Sequence, residues 1–282
     1  MPSETKNLSH FLDKIATDSH LRVENDLGDG FVLLRSTEAQ KRQAQQDIRC
    51  CEEIVLELLR NSKDAGAKHI FIATCKRENK RYIACIDDGC GIPQRFHEKI
   101  FDARVTSKLE THHKDKWGFH GRGMALYSVK YRSEIAKVAY SSKNQGTAIY
   151  VEVDTNKLPE KTDQSSFPEF IVGQDSVSIR GPLNITRIAT EFALEYSSET
   201  DIFIGSPSEV ASTLYRYGIS ALSPVQQAFP DTSSKSTIKM LATSHSDKDL
   251  SKKAAQVGLD LSDRTARRIM DGEFKSRESL TD

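Results

Sequence analysis

The stretch of sequence that decides the fold is Glu57-Leu58-Leu59-Arg60-Asn61-Ser62-Lys63-Asp64-Ala65-Gly66-Ala67. Apolar residues recur at helical spacing before and within it, which predicts an amphipathic helix with one face on a core: Cys51, Ile54, Val55, Leu58 and Leu59. At about 100° per residue, Glu57, Asn61 and Asp64 fall within a narrow arc on the other side. The pattern therefore predicts an acid, an amide and a second acid along one edge of an otherwise buried helix.

The residues on this edge suit metal and water chemistry. The amide oxygen of Asn61 can bind magnesium, a hard cation that prefers oxygen ligands. Glu57, one helical turn earlier, could take a proton from an attacking water. Taken alone, the edge is equally well explained as a solvated polar face, so the interpretation depends on the motifs that follow in the chain.

Length and composition exclude several classes of protein. A chain of 282 residues can bury a full core and indicates one main domain with smaller appendages. Its 40 basic and 40 acidic residues cancel, so no overall charge favours nucleic acid or a membrane surface. No apolar run approaches the ~18 residues that span a bilayer, and the N-terminus lacks a signal-peptide pattern. Five cysteines without paired metal spacing predict reduced thiols, and we therefore expect a cytoplasmic protein.

The chain is predicted to contain five regions. A long helix is expected from about Glu38 through Asn61, ending near Gly66. The regions are an N-terminal strap at 1–37, a main domain at 38–160, a second α/β region at 161–230, a linker at 231–249 and a helical end at 250–282.

A second motif, Asp87-x-Gly89-x-Gly91, closes a predicted strand. A carboxylate at this position can accept a hydrogen bond from an exocyclic amine such as that of adenine. The two glycines would let the backbone come close to a flat ring. A fourth motif, Gln145-Gly146-Thr147, enters a later strand, where the threonine hydroxyl could help to read the base.

The third motif lies between these two and is Gly118-x-x-Gly121-x-Gly123, with Arg122 inside it, at the entrance of a helix predicted for 124–130. Backbone N–H groups without side chains in the way, together with the positive end of a helix, form a phosphate cradle. Thr106-Ser107-Lys108 adds hydroxyls and a cation suited to phosphates.

Taken together and in this order, the motifs resemble the GHKL superfamily, which includes gyrase B, MutL mismatch-repair ATPases, type IIB topoisomerase B subunits, ninety-kilodalton chaperones and histidine kinases. The resemblance covers roughly residues 38–155. The first motif looks most like the MutL and topoisomerase version, and residues 87–92 and 105–108 also look like MutL. The glycine spacing at 118–123 departs from MutL and is closer to the topoisomerase and chaperone pattern.

The resemblance implies an α+β Bergerat fold, a two-layer sandwich in which helices cover one face of a mixed, mostly antiparallel sheet, with a small helical region added at the C-terminus. It implies Mg-ATP as the ligand, with Glu57 as general base, Asn61 as the magnesium ligand and Asp87 at the adenine. Residues 102–123 would form the ATP lid. The remaining nucleotide-binding positions would be Asp64, Gly89, Gly91, Thr106, Ser107, Lys108, Gly118, Gly121, Arg122, Gly123 and Thr147.

Two functional classes fit this resemblance. The first is a slow ATPase that works as a nucleotide-driven conformational switch, acting on DNA and forming a nucleotide-dependent homodimer. The second is a signalling regulator that resembles a histidine or protein kinase and uses the same ATP site. Glu57 favours the first, because histidine kinases of the superfamily usually have asparagine there, and His10 and His20 lack the flanking pattern of a phosphate-accepting histidine.

The C-terminal segment 250–272 resembles a helix-turn-helix. Its second helix would present Arg264, Thr265, Arg267 and Arg268 to a groove of duplex DNA. Nearby acids at Asp263, Asp271 and Glu273 cancel the basic charge that phosphate binding needs. A helical hairpin that packs on its own protein or on a partner is the other interpretation.

Overall fold

The computed structural model describes residues 23–107, 113–120, 123–161, 163–173, 177–223, 225 and 236–281. The chain divides into two compact units, one from 1–47 and 99–131 and the other from 48–98 and 132–282. His10, His20, Lys108, Gly121 and Arg122, which the sequence analysis singles out, lie outside the described residues.

The described strands are β1 (Val23–Gly28), β2 (Phe31–Leu34), β3 (His69–Arg77), β4 (Lys80–Asp87), β5 (Val105–Thr106), β6 (His113–Asp115), β7 (Gly118–His120), β8 (Ile135–Ser141), β9 (Thr147–Asp154), β10 (Glu169–Val172), β11 (Val177–Arg180) and β12 (Asp201–Gly205). The described helices are α1 (Glu38–Asp47), α2 (Cys51–Asp64), α3 (Ala125–Arg132), α4 (Ile185–Glu195), α5 (Pro207–Ser220), α6 (Asp247–Gln256) and α7 (Asp263–Met270). None of the helices in the described ranges has the length and apolar character needed to cross a bilayer.

The first unit contains a small antiparallel sheet in the order β1-β2-β5 and the separate hairpin of β6 and β7. The backbone of Arg104 ties its segments together. Its N–H donates to the carbonyl of Gly123 at 2.8 Å, and its carbonyl accepts from the N–H of Leu34 at 3.0 Å. The side chains of Gln45 and Tyr127 add a hydrogen bond of 2.9 Å between α1 and α3.

The second unit is built on a five-stranded sheet in the order β12-β3-β4-β9-β8. Neighbouring strands from β3 to β8 pair antiparallel, and β12 joins the edge of β3 in parallel. This mixed, mostly antiparallel sheet with flanking helices confirms the predicted α+β class.

Helix α2 covers one face of this sheet, packing on β4, β9 and α4. Its apolar side is completely buried, with Ile54, Val55 and Leu59 each 0% exposed. Burying a side chain of this size stabilises the fold by roughly 1.5–3 kcal/mol. The helical spacing of apolar residues in the opening stretch therefore identifies both the element and its buried face.

The opposite face of the sheet is covered as well, by α5, α6 and α7. Its sheet residues are Phe71, Ala73, Ala84, Ile86 and Ala148, and they form one cluster with Val210, Leu214, Leu250, Ala254, Ala266 and Ile269. The sequence analysis predicts helices on one face of the sheet only, whereas in the described residues helices cover both faces. Alternate residues of a strand face opposite sides, and β3 and β4 carry apolar residues on both, so both faces require cover.

The predicted regions do not separate as packing units. Strand β12, from the predicted second region, belongs to the main sheet, and α6 and α7, from the predicted helical end, pack on it. The predicted linker at 231–249 contributes Ile238, Met240 and Leu241 to the same core. Pairing between β3 and β12 joins positions more than 100 residues apart, and local composition carries no signal for it.

The single long helix expected from Glu38 to Asn61 is two helices in the structure. Helix α1 ends at Asp47, and Cys50 is extended, with φ −154° and ψ 165°, immediately before α2. The carboxylate of Glu53 accepts the N–H of Arg49 at 2.7 Å, which satisfies a donor at the start of the second helix. No glycine or proline marks the break. The other end matches the prediction, because Gly66 follows α2 with φ +73°.

The C-terminal helices α6 and α7 exist where the sequence predicts them, and their apolar sides pack on the sheet. Arg267 forms an ion pair with Asp247 at 2.8 Å, and Arg268 forms one with Glu273 at 2.5 Å. Two of the four side chains predicted to read DNA therefore already have acidic partners in the same chain. This packing supports the interpretation as a helical hairpin, and DNA contact stays a prediction.

Candidate functional site

The polar edge predicted for α2 is present. Every residue from Ile54 to Ser62 is buried except Glu57 and Asn61, which are partly exposed. Asp64, the last residue of the helix, is also partly exposed. Between Ile54 and Ser62 the edge is therefore a narrow accessible line on an otherwise buried helix.

Glu57 and Asn61 are oriented by contacts within the helix. Arg60, which is 7% exposed, donates through Nη1 to Oε1 of Glu57 at 2.5 Å. Asn61 donates through Nδ2 to the backbone carbonyl of Glu57 at 2.8 Å. That bond uses the amide nitrogen and not the amide oxygen, the atom that a hard cation prefers.

Asp87 lies at the end of β4 as a buried carboxylate, 4% exposed. Its Oδ2 accepts from the hydroxyl of Ser62 at 2.8 Å, and its Oδ1 accepts from the N–H of Gly89 at 2.9 Å and of Thr147 at 3.2 Å. Burial raises the pKa of Asp87 to about 6, although these hydrogen bonds act to lower it. A carboxylate oxygen has two lone pairs, so Oδ2 can accept a second donor beside Ser62.

The neighbouring Asp88 has a different role. Its Oδ1 accepts the backbone N–H groups of Lys68 at 2.7 Å and His69 at 2.9 Å, and its Oδ2 lies 2.7 Å from Nδ1 of His69. Burial acts to raise the pKa of Asp88, but the hydrogen bonds from His69 outweigh it and lower that pKa below its ordinary value. Asp88 therefore holds the start of β3, and Asp87 is the acid with acceptor capacity.

The glycines of the second and fourth motifs lie where three segments of backbone meet. A Cβ at Gly89 would lie 2.8 Å from the Cβ of Ala65, just after α2. Gly91 has φ +68°, and a Cβ there would overlap the carbonyl oxygen of Ser142. At Gly89 and Gly91 neighbouring parts of the chain approach this closely, which fixes the position of Asp87, and the role of these two glycines at a flat ring stays a prediction.

We expect Gly91→Ala to destabilise the protein by more than about 3 kcal/mol, since it adds backbone overlap to the strain of a left-handed conformation. The matched control is Gly66→Ala, because Gly66 has nearly the same φ of +73° but nothing within 4 Å of its Cβ position. The control should lose only about 1 kcal/mol. Chemical denaturation measures both losses, and equal losses would contradict the packing described here.

Hydroxyl groups complete the surroundings of Asp87. Ser141 donates to the carbonyl of Gly146 at 2.8 Å and accepts the N–H of Ile92 at 2.7 Å. The hydroxyl of Thr147, predicted to help read a base, lies 3.1 Å from that of Ser141. The loop after β4 and the turn between β8 and β9 are thereby joined through one buried serine.

The predicted phosphate-binding residues belong to the first unit. Thr106 lies in β5, where it pairs with Val32, and Ser107 is exposed. Gly118 begins β7 with φ +123°, so it lies in a hairpin and not at a helix entrance. Gly123, with φ +67°, lies two residues before α3, as expected for a helix entrance. Their role at a phosphate stays a prediction.

Sequence reasoning missed three residues around Asp87, namely Ser62, Ser141 and Thr237. Ser62 could have been predicted from the sequence, because it follows Asn61 and its helical position points to the sheet. Ser141 ends an edge strand, and Thr237 lies in a segment that its composition marks as a linker. The Thr237 hydroxyl donates to the backbone carbonyl of Asp87 at 2.5 Å. Nothing in the local sequence around Ser141 or Thr237 predicts these contacts.

Comparison with known proteins matches residues 46–157 to the family described as histidine kinase-, DNA gyrase B-, and HSP90-like ATPase. The DNA mismatch repair protein MutL of Anaplasma phagocytophilum is 34% identical over 116 residues, which are 40% of this chain and 17% of that protein. MutL of Clostridium perfringens is 34% identical over 117 residues, or 40% of this chain and 16% of that protein.

A crystal structure of the N-terminal domain of a DNA repair protein aligns with 64% of this chain and 49% of its own, at 19% identity and a TM-score of 0.32. The chain spans only about a sixth of the length of the two MutL proteins that it matches. The region matched to the ATPase family, residues 46–157, contains helix α2, the buried Asp87 and Thr147.

Proposed function

We propose that this protein binds Mg-ATP and hydrolyses it slowly to ADP and phosphate, because residues 46–157 match the family described as histidine kinase-, DNA gyrase B-, and HSP90-like ATPase. The observation that carries the proposal is the buried carboxylate of Asp87, with a pKa raised by burial to about 6. A buried acid with remaining acceptor capacity suits a ligand that donates a hydrogen bond. The exocyclic amine of adenine is such a donor.

The residues of α2 fit the phosphate and metal end of the same ligand. Asn61 supplies an amide oxygen for magnesium, and Asp64 adds an acid on the same edge. Magnesium, when bound, neutralises phosphate charge. Glu57 takes the proton of the attacking water, and its ion pair with Arg60 orients the carboxylate. Each of these roles is assigned from the contacts of α2 and from the family resemblance.

The test is ATP binding, measured by calorimetry, followed by phosphate release in the presence of magnesium. We expect binding that requires Asp87 and slow release that requires Glu57. Tight binding without release would favour the signalling alternative, and transfer of radiolabel from γ-labelled ATP to protein would then identify a kinase. Absence of ATP binding would overturn the proposal.

Two additions to this experiment test for a DNA partner and for dimerisation. We propose duplex DNA as a partner and a nucleotide-dependent homodimer as the working form; the similarity to DNA mismatch repair proteins supports the DNA partner. If the protein acts on DNA, duplex DNA should raise the rate of phosphate release at low salt, and high salt should weaken this effect. Light scattering with and without ATP measures dimerisation. A cytoplasmic location is part of the proposal, and the free thiols of all five cysteines support a reducing compartment.

We expect ATP affinity to fall as the pH is lowered through about 6, because protonation removes an acceptor from Asp87. In Ser62→Ala the midpoint should move to higher pH, since the Ser62 hydroxyl stabilises the ionised carboxylate and lowers its pKa. Calorimetric titrations between pH 5 and 8 measure both midpoints. A midpoint that Ser62→Ala leaves unchanged would contradict the assignment of Asp87.

A further inference from the structure

Thr237 lies where the end of the main sheet meets the C-terminal part of the chain. Its side chain is 0% exposed. The hydroxyl donates to the backbone carbonyl of Asp87 at 2.5 Å and lies 3.2 Å from the carbonyl of Gln145. The backbone N–H of Thr237 donates to the same Gln145 carbonyl at 2.9 Å. One residue therefore holds two segments that both contribute to the surroundings of the Asp87 carboxylate.

The contact leaves almost no freedom at Gly146. This glycine has φ +84°, and a Cβ there would overlap both the carbonyl oxygen of Asp87 and the hydroxyl of Thr237. The next residue, Thr147, donates its N–H to Oδ1 of Asp87. A shift of Gly146 relative to Asp87 would therefore change the hydrogen bonding of the carboxylate itself.

Thr237 is itself firmly anchored. Ile238, Met240 and Leu241 follow it into the core cluster that α5, α6 and α7 form on the sheet. Ile238 and Met240 are 5% and 4% exposed, and Leu241 is 0% exposed. The position of the hydroxyl is thus set by packing on one face of the sheet, whereas the carboxylate of Asp87 meets Ser62 on the other face.

We propose that Thr237 is a positioning residue for base recognition, which orients Asp87 toward the exocyclic amine of adenine from behind the strand. The inference rests on the proposed function. It assigns selectivity for the base in part to the C-terminal region, which lies outside the residues matched to the ATPase family. Because the group recognised is the amine, the effect should appear as discrimination between bases and not as a general loss of nucleotide affinity.

The experiment compares the affinities for ATP and for inosine triphosphate, which carries an oxygen in place of the amine. The full chain should prefer ATP by about 10-fold or more, because a buried acceptor facing an oxygen is left unpaired. Thr237→Val should lower this preference by about 5-fold, mainly by weakening ATP. Thr237→Ser, which keeps the hydroxyl, should restore it.

The matched control is Thr213→Val on α5. Thr213 is also buried, and its hydroxyl donates to the carbonyl of Glu209 and accepts the N–H of Arg277, each at 2.8 Å, so its hydrogen bonds lie away from Asp87. It should leave the preference unchanged. Thr237→Ala replaces Thr237→Val if thermal melts show that the valine variant does not fold.

The inference would be overturned if the variants without the hydroxyl lost affinity equally for both nucleotides, or if their preference for ATP were unchanged. Neither result would contradict the proposal that the unmodified protein binds ATP. Failure of the unmodified chain to bind ATP would overturn the proposed function as well.

Discussion

Replacing Glu57 by glutamine should lower the rate of phosphate release by at least about 100-fold while leaving ATP affinity within about two-fold, as expected for a general base. Arg60 donates to Oε1 of Glu57 at 2.5 Å, and the side-chain oxygen of glutamine can accept the same hydrogen bond without a charge. It has no basic site for the proton of water. Single-turnover phosphate release measures the rate, and calorimetry measures the affinity.

The matched control is Glu53→Gln, one turn earlier on α2. Glu53 also has an arginine partner, Arg49 at 3.1 Å, but its contacts hold the start of the helix. We expect this variant to keep the rate of the unmodified protein. Unchanged release in Glu57→Gln, or equal loss in both variants, would remove Glu57 from the reaction.

Asp87→Asn should abolish measurable discrimination for adenine and weaken ATP binding by about 100-fold, without lowering the stability of the protein at pH 7.5. The asparagine oxygen can accept from Gly89 and Thr147, as Oδ1 of Asp87 does, and its NH₂ can donate to the hydroxyl of Ser62. The NH₂ then faces the ligand's amine, so a donor meets a donor.

The expected stability of this variant follows from the raised pKa of Asp87, which is about 6 in the folded protein against an ordinary value of 3.8. The folded state therefore binds the proton more tightly than the unfolded state. The contribution of Asp87 to the free energy of unfolding is therefore lowest above pH 6, and it rises by about 3 kcal/mol as the pH falls from 6 to below 4. Asparagine carries no charge and has no such dependence.

Chemical denaturation at pH 4.5 and pH 7.5 tests this prediction. The unmodified protein should gain stability relative to Asp87→Asn as the pH is lowered, and the variant should equal or exceed it at pH 7.5. A variant that is less stable by the same amount at both pH values would show that burial of the ionised carboxylate costs little.

The elements nearest the candidate site were predictable because their signals are local. The helical spacing of Ile54, Leu58 and Leu59 identifies α2 and leaves Glu57 and Asn61 on its accessible edge. The apolar strand that ends at Asp87 identifies β4. Periodicity of this kind is set by the backbone geometry of helices and strands, so it survives in the folded protein.

What could not be predicted depends on distant parts of the chain or on contacts that composition does not encode. The break at Cys50 has no glycine or proline to mark it, and the contact seen there is the side chain of Glu53 accepting the N–H of Arg49. Gly118 carries the spacing of a phosphate loop but lies in a hairpin. Thr237 lies in a stretch rich in serine, threonine and lysine, yet it is completely buried against Asp87.

The helices on the second face of the main sheet have a consequence for synthesis of the protein. Strands β3, β4 and β9 are complete by Asp154, but α5, α6 and α7 follow as late as Met270. At about 5–20 residues per second, the ribosome needs on the order of ten seconds to make the intervening chain. During that interval Phe71, Ala84 and Ile86 present an apolar surface to solvent, so the growing chain passes through a stage that is prone to aggregation and suited to binding by chaperones.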